Sequence, residues 1–340
     1  MSRVNQLDVL RGLALFGVIV VHTSQSFQSF SWRIDNLDVY YLGRYGVQLF
    51  FVVSGFVMMM MYESYEKTWS QPHQAFYIKR VMRIVPLFVF AAIAYLPITM
   101  NGGFAYFHPD GVDLAKVLRV VTFTGGVDPH LLNAVVPGGW SIVNEIYFYL
   151  VFPLLVILIR RNMALLIGVV IALLNYVLLA NADTLFAGRE PYLIADFLYR
   201  NFITQAIVFM AGIGAFYFVH GTRRWMFAWC AAPVLAAGVL LEFVDPRAQL
   251  LKTTLLAIAF FAVVIATFEL AKAWPKLMEA RASKLVARFG TITYSGYIIH
   301  FGVIYLAKKA TDALDAGQYL TTEVMIIFVT IITAAIALST

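Results

Sequence analysis

The chain has 340 residues, of which 61% are hydrophobic and only 13% are charged, and its mean hydropathy is +0.79. Soluble globular domains of this length do not have such a composition, so the sequence predicts a polytopic membrane protein. The net charge of +6 does not indicate nucleic-acid binding. The Lys and Arg residues lie mainly in the connections between apolar runs, where they orient a chain in the bilayer.

Apolar runs of membrane-spanning length recur along the whole chain. They cover residues 7–26, 45–62, 84–100, 143–159, 163–181, 203–219, 226–243, 250–270, 291–307 and 322–338. This pattern predicts an all-α fold: a transmembrane bundle of about ten helices, forming a single membrane-embedded domain over residues 1–340 with no appended soluble domain. The connections on one side of the predicted membrane hold more Lys and Arg than those on the other side. Because basic connections tend to stay in the cytoplasm, this difference predicts that both termini are cytoplasmic.

The first apolar run, LDVLRGLALFGVIVVHTSQS, contains three ionisable residues. Arg11 and His22 are eleven residues apart, which returns them to within roughly 20° of the same helix face, about 16 Å apart along the axis. Asp8 lies one turn before Arg11 and is placed to pair with it. Because ionisable groups inside a span are costly, we expect this stripe to face the protein interior and to be functional.

Two arginines precede the third run, in the segment YIKRVMRIVPLF. Arg80 and Arg83 are one helical turn apart, a spacing at which two guanidinium groups can hold a phosphate or diphosphate. The alternative is an anchor at the membrane edge, with long side chains reaching the headgroups.

The fourth run begins with GGWSIVNEIYFYLVFPLL, which places Glu145 early in an apolar helix. Asn144 is adjacent and Tyr149 follows one turn later. A carboxylate at that depth needs a partner, such as the arginine or histidine of the first run, or a proton. Alternatively it is an interfacial glutamate that still reaches the headgroups, a reading that the nearby Trp140 favours.

The ninth run, TITYSGYIIHFGVIYL, repeats Tyr294, Tyr297 and His300 along one helix side. His300 is either a group that handles protons or a hydrogen-bonded interior histidine. The other histidines lie in connections without ligand spacing, and the single cysteine excludes a thiolate cluster, so no metal site is predicted. The long segment from Gly102 to Gly139 is expected outside the cell membrane and is long enough to carry function.

Four sequence elements together resemble the acyltransferase-3 family of integral-membrane O-acyltransferases. They are Arg11 and His22 as an R-x10-H pattern, the FFVVSGF run, the R-x-x-R of Arg80 and Arg83, and WSIVNEIYFYLVFP. They occur in order and on the corresponding spans, from LDVLRGLA to YSGYIIH.

The resemblance implies a ten-helix domain in the bacterial inner membrane, in contact with the lipid bilayer. It implies transfer of an acyl group, usually acetyl, from acyl-CoA on the cytoplasmic side. The acceptor is a hydroxyl of a carbohydrate or lipid-linked glycan, such as exopolysaccharide or O-antigen.

On that basis His22 is expected to be the general base, with an acyl-histidine intermediate as the alternative. Arg80 and Arg83 are expected to hold the CoA phosphates. Arg11 either positions the surroundings of His22, contacts CoA or stabilises the oxyanion. Glu145 is the third candidate catalytic residue, and the expected supporting residues are Asp8, Trp140, Asn144, Tyr149, Tyr297 and His300.

Two other classes of function fit part of the pattern. Intramembrane Arg, His and Glu are also typical of a proton-coupled transporter or flippase for a glycan or lipid-linked sugar. The sequence lacks the two related halves that such carriers commonly have. A non-catalytic scaffold of a polysaccharide assembly complex would leave the buried charges unexplained.

Overall fold

The computed structural model describes residues 5–27, 33–34, 37–103, 108–314 and 321–339. Most of these residues are in helices. The strands among them are β1 (Arg33–Ile34) and β2 (Leu37–Asp38), which pair antiparallel over two residues each. The prediction of an all-α fold is confirmed.

The helices vary from single turns to long spans. In chain order they are α1 (Asn5–Ser26), α2 (Gly46–Thr68), α3 (Pro72–Met100), α4 (Leu114–Val121), α5 (Gly139–Arg160), α6 (Ala164–Ala180), α7 (Ala182–Leu185), α8 (Pro191–Arg200), α9 (Phe202–Val219), α10 (Met226–Val244), α11 (Leu250–Ala273), α12 (Pro275–Glu279), α13 (Arg281–Thr291), α14 (Thr293–Ala313) and α15 (Thr322–Ser339). The 3-10 helix Val39–Tyr45 precedes α2, and the 3-10 helix Thr124–Val127 follows α4.

Each of the ten predicted spans lies largely on one helix. Seven helical stretches in the described part of the chain are long and apolar enough to cross a membrane. Helices α6 and α15 are apolar but shorter, and the ninth predicted span lies on α14, which has 21 residues. A helix satisfies its own backbone hydrogen bonds, which is what a lipid environment requires. The protein is therefore a multi-pass membrane protein.

The chain forms two compact units, and the division falls within α2 and α11. The first unit comprises Met1–Phe50 and Ala266–Thr340, and the second comprises Phe51–Ile265. The single membrane domain predicted over residues 1–340 stays a prediction. Within the first unit, α1 packs against α13, α14 and α15. Its buried face includes Leu15, Val18 and Ile19, none of which is exposed.

Helices α1 and α13 approach each other closely because each has a glycine at the contact. A Cβ atom at Gly12 would overlap the backbone carbonyl of Val286, and one at Gly290 would overlap the carbonyl of Asp8. Small residues allow such backbone-to-backbone packing between membrane helices. The amphipathic α13 is thereby fixed along the first half of α1.

In the second unit, aromatic rings hold α2, α5 and α9 together. The Phe209 ring of α9 stacks on Phe148 with 4.2 Å between centroids and on Phe51 with 4.4 Å. Gly55 of the FFVVSGF run packs closely against the backbone of Phe209. Helix α10 packs on α6 and carries Cys230, whose side chain is fully buried.

The long connection between α3 and α5 contains local structure that its Gly-rich composition does not predict. It includes α4, whose N-cap is Asp113, and the 3-10 helix Thr124–Val127. Residues 128–138 are buried in the second unit. This segment is therefore packed against its own unit where it is described.

Candidate active site

The imidazole of His22 lies against a second imidazole, that of His300 on α14. His22 Nδ1 is 3.0 Å from His300 Nε2, and the two rings stack with 5.2 Å between centroids. The ring of Phe301 lies 4.4 Å from that of His22. His300 is fully buried, so this half of the pair is shielded from solvent.

The backbone of α14 determines which nitrogen of each ring carries a proton. His300 Nδ1 lies 2.5 Å from the carbonyl oxygen of Tyr297. A carbonyl can only accept, so His300 Nδ1 carries the hydrogen and His300 Nε2 presents a lone pair. His22 Nδ1–H must then donate to that lone pair. In the neutral pair this assigns the hydrogen of His22 to Nδ1 and leaves the lone pair of His22 on Nε2.

The structure places His300 and Tyr297 directly behind His22. His300 is a hydrogen-bonded interior histidine, the second of the two readings of the sequence. Tyr297 supplies its backbone carbonyl, and its ring packs edge-on to Phe50. Sequence reasoning did not pair the two histidines, because they are 278 residues apart. No local spacing signal could have joined them.

Arg11 forms the predicted ion pair with Asp8. Arg11 Nη1 is 3.0 Å from Asp8 Oδ1, and both side chains are largely buried. The pair points the guanidinium one turn toward the helix N-terminus, the direction in which helical side chains lean. His22 lies about 16 Å further along the helix in the other direction. The ion pair therefore directs the guanidinium of Arg11 away from His22.

In the second unit, two hydroxyl groups donate to one oxygen of Glu145. The Tyr149 hydroxyl is 2.5 Å from Glu145 Oε1, and the Ser54 hydroxyl is 3.2 Å from the same atom. Tyr149 is buried, whereas Glu145 is partly exposed. The sequence had suggested an arginine, a histidine or a proton as the partner. The groups that contact this carboxylate oxygen are instead hydroxyls, and Ser54 was not predicted to be one of them.

Trp140 and Asn144 contact the end of α8. Asn144 Nδ2 donates to the carbonyl oxygen of Arg200 at 2.7 Å. The guanidinium of Arg200 lies 5.6 Å from the centre of the Trp140 ring. Both residues thus fix the start of α5 to the turn between α8 and α9, a supporting role.

Arg80 and Arg83 have different surroundings although they are one turn apart. Arg80 is only 3% exposed, and its guanidinium lies over the rings of Phe76 and Tyr149 at 5.9 and 5.7 Å. Its Nε atom is buried without a hydrogen-bond partner among the described residues. Arg83 is exposed. Their joint grip on a phosphate stays a prediction, and only Arg83 is open to solvent.

A second polar cluster, which the sequence reasoning set aside, involves the buried His130. His130 Nδ1 is 3.1 Å from Asp110 Oδ2, and its Nε2 is 2.5 Å from Glu190 Oε2. The nearby Asp128 accepts from Arg119 and Arg189 at 3.2 and 3.5 Å. These contacts connect the α3–α5 segment to the start of α8. Among the described residues, no group of three or more His, Cys, Asp or Glu is arranged to hold a metal ion.

Comparison with known proteins gives one family and no individual relative. No curated protein and no solved structure matches the chain. A family model described as an acyltransferase domain matches residues 4–340. Because this match covers essentially the whole chain, the protein belongs to the acyltransferase-3 family and is a membrane acyltransferase.

Proposed function

We propose that this protein transfers an acyl group, in the first instance acetyl, from acyl-CoA to a hydroxyl of a carbohydrate or lipid-linked glycan. The observation that carries the proposal is the hydrogen-bonded chain from the Tyr297 carbonyl through His300 to His22. When both imidazoles are neutral, this chain leaves the lone pair of His22 on Nε2, which is what a general base requires. The family membership supplies the reaction class.

In the proposed reaction, His22 Nε2 takes the proton from the acceptor hydroxyl as its oxygen attacks the thioester carbonyl. The new C–O bond forms, the C–S bond breaks, and the thiolate leaves with the proton that His22 gives back. While His22 is an imidazolium, its Nδ1–H still donates to His300 Nε2, which holds the ring in place. An acyl-histidine intermediate is the alternative course, with His22 Nε2 as the nucleophile.

The remaining polar residues take supporting roles in this proposal. Arg11, directed away from His22 by Asp8, is assigned to the donor. Arg83, which is exposed, is assigned to a phosphate of the donor. Arg80 is assigned to the same phosphate, although its side chain is buried. Glu145 is a candidate catalytic carboxylate whose orientation is held by two hydroxyl donors. Both termini are proposed to be cytoplasmic, in a bacterial inner membrane, so that acyl-CoA arrives from the cytosol.

The test uses the detergent-solubilised full chain and labelled acetyl-CoA. A membrane extract of the cells that contain the protein is the source of the acceptor. We expect the wild-type protein to bind acetyl-CoA and to move label into a glycan or glycolipid fraction. His22→Ala should bind acetyl-CoA normally and lose about 10²- to 10⁴-fold in rate, the usual contribution of a general base. Unchanged transfer by His22→Ala would refute the base assignment.

The same experiment separates an enzyme from a carrier or a scaffold. Those two alternatives predict neither binding nor slow hydrolysis of acetyl-CoA. The acceptor is identified by comparing, by mass spectrometry, surface polysaccharide from cells with and without the protein. A loss of acetyl groups from one glycan in the cells without the protein is the expected result.

A further inference from the structure

Helix α13 presents a face with three cations. Arg281, Lys284 and Arg288 are spaced three and four residues apart, so they lie on one side of the helix, and all three are exposed. The helix RASKLVARFGT contains no acidic residue. Among the described residues, no ion pair to any of these three cations is present.

These cations line an open cleft between α13 and the beginning of α1. Its volume is about 460 Å³, within the range of about 300–1,000 Å³ typical of small-molecule sites. The lining residues from α1 are Asn5 and Asp8. Those from α13, besides the cations, are Leu285, Ala287 and Thr291. All of them belong to the first unit.

The walls of the cleft are held in place by the packing of α13 on α1. The glycine contacts at Gly12 and Gly290 bring the two backbones together, and Asn5 Nδ2 donates to the Met278 carbonyl at 3.2 Å. The cations therefore project from a fixed surface. A site held ready in this way loses less conformational entropy when a ligand binds.

The charge balance of the cleft favours an anion. Its one carboxylate, Asp8, is in an ion pair with Arg11 at 3.0 Å, so it does not cancel the charge of the α13 face. Guanidinium groups match the geometry of phosphate oxygens, and a lysine adds a mobile point charge. The Asn5 amide has a second N–H besides the one that it donates to Met278, and this N–H can donate to an anion.

We propose that this cleft binds phosphate groups of the acyl-CoA donor, including its 3′-phosphate. The inference rests on the proposed function and adds a phosphate site where α13 packs on the beginning of α1, the helix that carries His22. Asp8 and His22 are fourteen residues apart, which corresponds to about 21 Å along α1. CoA has a long, flexible pantetheine arm between its diphosphate and its thiol, so phosphates held at one end of α1 leave the thioester free to travel toward His22.

An anionic lipid headgroup has the same phosphate chemistry, and the exposed Leu285 is compatible with a membrane surface. Three cations around one cleft favour CoA, because CoA brings several phosphate groups on one molecule. The binding experiment therefore includes both ligands. It measures the affinity of the full chain for CoA, dephospho-CoA and pantetheine, and its retention of anionic lipid, by titration in nanodiscs of neutral or anionic lipid.

We expect the triple variant Arg281→Gln/Lys284→Gln/Arg288→Gln to bind CoA about 10- to 100-fold more weakly than wild type, as expected for three partly screened contacts. The same triple variant should weaken the binding of dephospho-CoA less than the binding of CoA. It should leave the affinity for pantetheine unchanged. A matched pair of single variants gives the control. Lys284→Gln should weaken CoA binding, whereas Lys276→Gln, on the neighbouring α12 and outside the cleft, should not.

Turnover with S-acetyl-pantetheine, a donor without these phosphates, should be the same in the triple variant and in wild type. Equal CoA affinity of the triple variant and wild type would overturn the proposal, and so would a loss confined to anionic lipid. Failure of the proposed function has a different signature. In that case wild-type protein would bind none of the CoA derivatives, whatever the residues on α13.

Discussion

Replacement of His300 tests whether this residue positions the imidazole of His22 or merely fills space. His300→Leu removes the acceptor of the 3.0 Å hydrogen bond from His22 Nδ1 but keeps an apolar side chain of similar size. A neutral hydrogen bond contributes about 0.5–1.5 kcal/mol net. Since about 1.4 kcal/mol corresponds to a tenfold change in rate, His300→Leu should lower kcat about twofold to tenfold.

His300→Gln provides the matched comparison, because its side-chain carbonyl can accept the hydrogen from His22 Nδ1. We expect it to retain most of the activity that His300→Leu loses. The KM for acyl-CoA should be unchanged in both variants, since neither alters the donor contacts. Initial rates of label transfer from acetyl-CoA, measured across pH with each protein at equal concentration in detergent, provide the assay.

A packing role predicts the opposite order. His300 is fully buried, and an apolar leucine would then support activity better than glutamine with its buried amide. A higher kcat for His300→Leu than for His300→Gln would refute the tautomer assignment. So would a loss in His300→Leu as large as the loss in His22→Ala, because His300 would then act on the substrate itself.

Three further changes probe other parts of the structure by thermal unfolding. Gly290→Ala should destabilise the protein by about 1–3 kcal/mol, because its Cβ would overlap the α1 backbone, and unchanged stability would contradict the close helix contact. Tyr149→Phe removes a donor from Glu145 and should cost about 1–3 kcal/mol, an effect that should be absent in a Glu145→Leu background, which has no acceptor, if the hydrogen bond is its cause. Arg247 hydrogen bonds lower the pKa of Asp245 below its ordinary 3.8, so Arg247→Gln should cost about 0.5–1 kcal/mol at neutral pH. That stabilisation exists above the unfolded-state pKa of Asp245 and is lost as pH falls through the lowered folded-state pKa, so a difference that persisted at a pH well below both values would exclude this origin.

The membrane helices could be predicted from the sequence because hydropathy reports what a lipid environment selects. Their ends were less predictable. The third apolar run begins at residue 84, but α3 begins at Pro72, because the polar stretch before the run continues the same helix. Helices α4, α7, α8, α12 and α13 were missed, since they are short or amphipathic and give no long apolar run.

In the candidate site, too, the local features could be predicted from the sequence, whereas those that depend on packing could not. The Asp8–Arg11 pair follows from helix periodicity, which is a local property. The pairing of His22 with His300 depends on how α14 packs on α1, and nothing in either segment encodes the other. The contrast between Arg80 and Arg83 also depends on packing. The two arginines have the same residue type and lie one turn apart, but the rings of Phe76 and Tyr149 cover Arg80.

The burial of Cys230 has a practical consequence for establishing the orientation of this protein. With the chain's single sulfhydryl enclosed in the second unit, the unmodified protein should react little with maleimides. Cysteines introduced one at a time at exposed positions in two different connections, such as Thr184 and Thr222, would then each be labelled from one side of a sealed vesicle only. The pattern of labelling would show directly which helix ends meet the cytosol.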